Sequence, residues 1–195
     1  MKKFELTTES ITFLGRTLFR IKALISFGNV KAGELGGYIE KEGNLSHEGN
    51  AWVCDNARVC GDARVYGDAR VCGDARVYGN ARVCGNAEVY GNARLYGDAW
   101  VCGNARVCGN AEVYGDAWVY GNADIATISG FGSEYRTTTF FRTKNDEIAV
   151  KCGCFYGTLA EFREKVKETH GDNRYAKEYL MIADLMEMHF RGEEE

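Results

Sequence analysis

The dominant pattern in the chain is a period of six that runs without a break from Ala51 to Asn122. With few exceptions each hexad reads alanine, a variable residue, valine, tyrosine or cysteine, glycine, and aspartate or asparagine. Alanine and valine are two positions apart, so both side chains lie on one side of an extended strand. The glycine and the acidic or amide residue after it readily adopt turn conformations. Each hexad is therefore predicted to be a short strand followed by a corner.

One hexad cannot bury its alanine and valine alone, but three strands in a triangular coil can, and stacked coils form a continuous core. The pattern predicts a mostly β protein in which residues 35–126 form a single-stranded parallel β-helix. Its roughly five coils should be spaced by about 4.8 Å. The register extends backwards to Gly43-Asn44, which places Leu45 at the alanine position and His47 at the inward valine position. Residues 36–39 fit a degenerate first coil.

The segments outside the repeat are expected to cover the strand edges that a β-helix exposes at its two ends. Residues 1–34 contain two β-rich runs around Gly15, which predict an N-terminal hairpin cap. Residues 127–195 change character and predict a C-terminal ββαα cap. Its two strands are expected in residues 135–143 and 148–152, and its two helices in residues 158–169 and 173–190.

The hexads resemble the hexapeptide repeat of left-handed parallel β-helix proteins. That resemblance implies triangular coils of three hexapeptides and a left-handed sense, which physics alone would not supply because parallel crossovers are normally right-handed. The sequences AGELGGYIEKE (residues 32–42), CGCFYGTL (152–159) and THGD (169–172) resemble a family of uncharacterised proteins of phages, prophages and gut Firmicutes. This second resemblance covers essentially the whole chain. It implies a mobile-element protein in a bacterial host cell, without an established activity.

Composition argues against several classes of protein. The chain is 45% apolar and 27% charged, as in globular proteins rather than disordered ones. A formal net charge of −4 does not suit a general nucleic-acid-binding protein. No apolar run follows Met1, and no segment is long and apolar enough to span a bilayer. We therefore expect a cytoplasmic protein for which neither membrane nor nucleic acid is a partner.

Six of the eight cysteines occupy one position of the repeat. In a chain without an export signal they are expected to be reduced thiols. Cys54 and Cys72 are eighteen residues apart, as are Cys84 and Cys102. Each pair would stack on adjacent coils about 4.8 Å apart, within the range that a disulfide spans. Mild oxidation is therefore expected to join these two pairs.

Most hexapeptide β-helices of known role are acyltransferases or zinc-dependent carbonic anhydrases, and both use histidines. This chain has three histidines, His47, His170 and His189, and no loop interrupts its repeat. Cys152-Gly153-Cys154 is half of a zinc-site pattern, but no second cysteine pair of that type accompanies it. We therefore predict no catalytic residue, no metal site and no cofactor.

The outward side chains fall into columns when each coil holds three hexads. One face alternates in charge, a second carries arginines beside tyrosines, and a third carries arginines and tryptophans. Arginine, tyrosine and tryptophan are the residues enriched at binding hot spots. The predicted partner-binding residues are Arg58, Arg76, Arg94, Tyr78, Tyr96, Tyr114, Arg82, Trp100 and Trp118.

These patterns predict a non-catalytic binding or scaffold protein that presents a helix face or its C-terminal cap to a protein partner. In the phage-like setting that the resemblance implies, the partner is expected to be a host-defence or regulatory factor. One alternative is a degenerate hexapeptide acyltransferase. A second is a protein that binds an anionic small molecule or nucleotide through its arginine and tyrosine side chains. Assembly into a homo-oligomer, a dimer or trimer, is left open.

Overall fold

The computed structural model describes residues 1–191, which form a parallel β-solenoid with a β-hairpin at its N-terminal end and two helices at its C-terminal end. Strands β1 (Phe4–Phe13) and β2 (Arg16–Ala23) form the predicted antiparallel hairpin. Strand β2 pairs in turn with β3 (Leu35–Ile39), and β3 pairs in parallel with the solenoid. The hairpin therefore extends one wall of the solenoid beyond its first coil, and the predicted N-terminal cap is confirmed.

Twelve two-residue strands, one from each hexad, form the walls of the solenoid. Strands of adjacent coils pair in parallel, so the walls consist of three columns: β5-β8-β11-β14, which continues β3, then β4-β7-β10-β13, and β6-β9-β12-β15. The strands are β4 (Trp52–Val53), β5 (Arg58–Val59), β6 (Arg64–Val65), β7 (Arg70–Val71), β8 (Arg76–Val77), β9 (Arg82–Val83), β10 (Glu88–Val89), β11 (Arg94–Leu95), β12 (Trp100–Val101), β13 (Arg106–Val107), β14 (Glu112–Val113) and β15 (Trp118–Val119).

The core of the solenoid is the alanine and valine positions of the hexads. Val83 pairs with Val65 of the preceding coil and Val101 of the next, and none of the three is more than 1% exposed. Backbone hydrogen bonds link the coils; for example, the N–H of Arg82 donates to the carbonyl of Ala99 at 2.8 Å. The predicted parallel β-helix is therefore confirmed, while its left-handed sense stays a prediction from the resemblance.

The first coil differs from the predicted register. Leu45 pairs with Val65, so it occupies the valine position and not the alanine position. The buried side chain of Asn44 donates to two backbone carbonyls of the next coil, which replaces strand hydrogen bonds at this corner. His47 is consequently not an inward residue. Its ring stacks on Phe4 of β1 with the ring centres 4.3 Å apart, and its side chain is 32% exposed.

Lys3 is a buried lysine between the hairpin and the first coils. Its ammonium donates to the backbone carbonyls of Gly49 at 3.2 Å and Ala51 at 2.9 Å, and it lies over the ring of Phe27. Burial lowers the pKa of Lys3 from 10.5 to about 8 because the charged form loses its hydration. The N-terminal cap therefore contains a group whose protonation is coupled to folding.

The stability of the folded protein should rise with pH as Lys3 loses its proton. Between pH values of about 8 and 10.5 the unfolded chain binds the Lys3 proton more tightly than the folded chain does, so raising the pH favours folding. Relative to Lys3→Met, which has no titrating group at this position, the wild type should gain about 2 kcal/mol of unfolding free energy from pH ~7 to ~9.5. Urea denaturation across this range measures the shift. A difference that does not change with pH would contradict the lowered pKa.

The C-terminal cap is a four-stranded antiparallel sheet with two helices packed on it. The predicted hairpin and both predicted helices are confirmed, and the sheet contains two strands more than the prediction. Ile125 falls within the predicted β-helix of residues 35–126, but it lies in the first of these extra strands and pairs with Phe141. The elements are β16 (Ile125–Ile128), β17 (Thr138–Arg142), β18 (Ile148–Cys152), β19 (Phe155–Thr158), α1 (Leu159–His170) and α2 (Arg174–Arg191).

Local signals set the limits of α1. The hydroxyl of Thr158 accepts a hydrogen bond from the N–H of Glu161, and the Glu161 carboxylate accepts one from the N–H of Thr158, which together form a capping box. The helix ends before Gly171, whose φ is +57°. Among residues 1–191, neither helix combines the length and the apolar character that crossing a bilayer requires.

Candidate binding surface

The second predicted face, formed by β5, β8, β11 and β14, carries a tyrosine ladder (Tyr78, Tyr96 and Tyr114). The rings of Tyr78 and Tyr96 are parallel with centres 5.1 Å apart, and those of Tyr96 and Tyr114 are 4.5 Å apart. The two caps close the ends of the ladder. Phe13 of the hairpin lies edge-on to Tyr78, and Tyr156 of β19 lies edge-on to Tyr114. Burial raises the pKa of Tyr96 to about 12. The ladder therefore packs both caps onto the solenoid.

The arginines beside this ladder have partners within the protein. The guanidinium groups of Arg58 and Arg76 lie over the ring of Phe13, at 5.2 and 5.6 Å from its centre. Arg94 forms an ion pair with Glu112 of the next coil at 3.2 Å. These contacts counter the repulsion between the stacked arginines. Six of the nine predicted binding residues thus lie on this face, and each of them already contacts another residue of the protein.

The third predicted face, formed by β6, β9, β12 and β15, brings the other three predicted residues together. We call the aromatic part of this face, together with the arginine that packs on it, the tryptophan face (Arg82, Trp100, Trp118 and Tyr120). Trp100 lies opposite Arg82 and Trp118 in the ladder. The Arg82 guanidinium is 5.3 Å from the centre of the Trp100 ring, and the Trp118 ring meets Trp100 at a steep angle with centres 5.6 Å apart. Trp118 is 38% exposed, so this aromatic group is open to a partner.

Tyr120 was missed by the prediction of the binding residues. It is 45% exposed, and its ring packs edge-on against Trp118 with centres 5.7 Å apart. The signal was present in the sequence, because residues two positions apart on a strand lie on the same side. With Tyr120 included, the exposed aromatic group is larger than the two predicted tryptophans.

The structure joins Cys54 to Cys72 and Cys84 to Cys102 as disulfides, with Cα–Cα distances of 4.7 and 4.6 Å. These are the partners that the spacing predicts, and both distances lie within the range for disulfides. The predicted cysteine partners are therefore confirmed. The structure shows these four cysteines as disulfides and not as the reduced thiols that we expected. Among the described residues Cys60 is unpaired and buried, and burial raises the pKa of its thiol.

The three histidines lie on separate elements. His47 accepts a hydrogen bond from the backbone N–H of Lys3 through Nδ1 at 3.2 Å. His170 is at the C-terminal end of α1, where it stacks on Tyr179, and His189 is on α2. The described residues bring three potential metal ligands together at one point, Cys54, Asp55 and Cys72, but the two sulfurs there are bonded to each other. This arrangement offers support neither for a histidine-based active site nor for a zinc site.

Comparison with known proteins bears on the repeat alone. A search of curated proteins finds no match to the sequence. The family described as YdcK Beta solenoid repeat matches residues 51–67, 57–73, 69–85, 75–89 and 105–121. All the matched segments lie within the hexads that form β4 to β15. Over these segments, the chain is thus similar to the YdcK β-solenoid repeat.

Proposed function

We propose that this protein is a non-catalytic binding protein whose tryptophan face contacts a protein partner. The observation that supports this is the exposed aromatic group formed by Trp118 and Tyr120 beside Trp100 and Arg82. Tryptophan, tyrosine and arginine are enriched among the few residues that carry most of the binding free energy at protein interfaces. These side chains project from a backbone held by paired strands, so the backbone beneath them does not have to be ordered on binding.

The second predicted face, which carries the tyrosine ladder and its arginines, supports this function less well. Phe13 covers Arg58 and Arg76, and the tyrosines are half-buried against one another. A partner would have to compete with these internal contacts. A degenerate acyltransferase is also less well supported, because His47 lies at the N-terminal cap while the other two histidines lie on the C-terminal helices.

A second candidate surface lies on α2. Met181, Leu185 and Met188 are 73%, 47% and 67% exposed, and their spacing of four and three residues places them on one face of the helix. An exposed apolar stripe of this kind is typical of a helix that packs against another protein. The function remains that of a binding protein, but with the C-terminal cap as its contact surface.

The resemblance of the terminal segments to phage and prophage proteins completes the proposal. It supports a cytoplasmic setting in a bacterial host, and the partner would then be a host-defence or regulatory factor. A lysate of a gut Firmicutes host is therefore the source in which to search for the partner.

We expect the Trp118→Ala/Tyr120→Ala variant to lose a partner that the wild type captures from this lysate. Both side chains are exposed, so the fold should persist. The affinity for the purified partner should fall by at least about 2 kcal/mol, the scale of a hot spot. Calorimetry with the partner, and thermal unfolding of the variant alone, measure the two quantities.

Two further variants assign the surface. His47→Ala should bind as tightly as the wild type, whereas Met181→Ser/Met188→Ser tests the stripe on α2. Loss of binding in the α2 variant alone would move the contact surface to the C-terminal cap. Loss in His47→Ala alone would contradict the proposed surface and favour a site at the N-terminal cap.

A further inference from the structure

A groove of about 530 Å³ opens at the N-terminal end of the tryptophan face. Its lining residues include Ser46, His47, Arg64, Tyr66 and Arg82. The volume lies within the usual range for sites that bind small molecules. The groove is at the end of the face near the N-terminal cap, whereas Trp118 belongs to the last strand of the same column.

The two arginines of the groove lack a carboxylate partner in the described part of the chain. Arg64 and Arg82 lie opposite each other on adjacent coils, and both are exposed. Elsewhere on the solenoid Arg94 pairs with Glu112, and Arg106 pairs with Glu88. Within residues 1–191, no carboxylate oxygen lies within ion-pairing distance of Arg64 or Arg82. Two adjacent arginines without an ion-pair partner repel each other, and an anion bound between them would replace this repulsion with attraction.

Two hydroxyl groups beside the arginines retain a proton to donate. The Tyr66 oxygen accepts a hydrogen bond from Nε1 of Trp100 at 3.3 Å, and the Ser46 oxygen accepts one from the N–H of Glu48 at 3.0 Å. Each hydroxyl can accept through its oxygen and still donate its own hydrogen. Ser46 and Tyr66 also share a column, because their N–H groups donate to Val65 and to the next valine in the stack.

The groove has a net positive charge. Glu42 is the one carboxylate among the lining residues. Its oxygens pair with the ammonium of Lys2 at 2.6 Å and face Nε2 of His47 at 3.6 Å. Nδ1 of His47 accepts a hydrogen bond from the N–H of Lys3, so Nε2 is the ring nitrogen that faces Glu42. Glu42 is therefore already paired with groups of the cap, and it forms no ion pair with Arg64 or Arg82.

We propose that this groove binds a phosphate group, either as free phosphate or as the phosphate of a small metabolite. Arg64 and Arg82 supply charge-assisted hydrogen bonds, and the hydroxyls of Tyr66 and Ser46 donate to the remaining oxygens. Two guanidinium groups and two hydroxyls provide more donors than one carboxylate can accept, whereas a phosphate dianion has three terminal oxygens and twice the charge. This ligand site goes beyond the proposed protein-binding function, and only Arg82 belongs to both.

Isothermal titration calorimetry of the full chain with inorganic phosphate and with glycerol 3-phosphate, at constant low ionic strength, tests the proposal. We expect saturable binding to the wild type. Arg64→Gln should weaken binding by about tenfold or more, because it removes a charged donor. Tyr66→Phe should weaken it by a smaller factor while keeping the aromatic ring. Arg106→Gln is the matched control, since it removes the same charge from an arginine that is already paired.

Each result of this experiment decides a point. No saturable binding of either probe to the wild type, or an equal loss in Arg64→Gln and Arg106→Gln, would overturn the site. Tighter binding of glycerol 3-phosphate than of inorganic phosphate would support the site and assign it to a phosphorylated metabolite; equal binding would support it with free phosphate as the ligand. Trp118→Ala/Tyr120→Ala should bind phosphate normally, and Arg64→Gln should bind the protein partner normally. The two proposals can therefore fail separately.

Discussion

Replacement of Val83 by aspartate should prevent the solenoid from folding. Val83 is fully buried between Val65 and Val101, and among the described residues the interior contains no partner for a carboxylate at this level of the stack. An unpaired buried carboxylate, together with the lost apolar contact, should cost at least about 4 kcal/mol. That is most of the unfolding free energy of a domain at the lower end of the usual range, about 5 kcal/mol. Circular dichroism and thermal unfolding should show no cooperative native transition.

Arg82→Asp is the control for this prediction. It introduces the same residue one position away, but on the outer side of the strand, where the carboxylate stays hydrated. We expect it to lose no more than about 1 kcal/mol, the scale of the cation–π contact with Trp100. If Val83→Asp unfolded at nearly the same temperature as Arg82→Asp, the assignment of valine to the core would be wrong.

The Gly103→Ala variant should be strongly destabilised. Gly103 has a φ of +62°, and an added Cβ would overlap the backbone carbonyl oxygen of Tyr120 in the next coil. A left-handed conformation costs a side-chain-bearing residue roughly 1–2 kcal/mol, and overpacking against fixed backbone adds about 1–3 kcal/mol. We expect a total loss of about 3 kcal/mol in unfolding free energy, measured by urea denaturation.

Gly109→Ala separates the two causes of this loss. Gly109 has the same place in its hexad and a φ of +66°, but none of the described residues lies within 4 Å of the position that an added Cβ would take. The chain above it has left the repeat and forms β16 in the C-terminal sheet. Gly109→Ala should therefore lose only about 1 kcal/mol, from backbone strain. Equal losses in the two variants would show that stacking of the coils does not restrict the corners.

The hexad pattern was sufficient to predict the core because its physics is local and repeats. Alternation of side chains along a strand places alanine and valine inside, and the glycine that follows turns the chain. The same alternation predicted the columns, which is why the partners Cys54–Cys72 and Cys84–Cys102 were identified from spacing alone. Helices α1 and α2 were likewise predicted from their own apolar spacing.

The candidate sites depended on contacts between segments that are distant in the sequence. Phe13 lies over Arg58 and Arg76, so these two predicted binding residues already have a contact within the protein. No periodicity within the repeat contains that information, because Phe13 belongs to the hairpin. The register of Leu45 also depends on a contact between coils, because the side chain of Asn44 bonds to the next coil in place of strand hydrogen bonds. The repeat pattern does not specify that contact.

The chain pattern alone therefore determined that this protein is a stack of coils, which residues line its interior, and which side chains share an outer column. Each of these follows from the period of a strand and the conformation of glycine, which act over a few residues. Only the tertiary structure decided which outer columns stay open. The caps cover the tyrosine ladder at its two ends, whereas Arg64 and Arg82 remain without a carboxylate within residues 1–191, and Trp118 stays exposed. Burial and charge compensation depend on where distant segments pack, and a local pattern does not specify that.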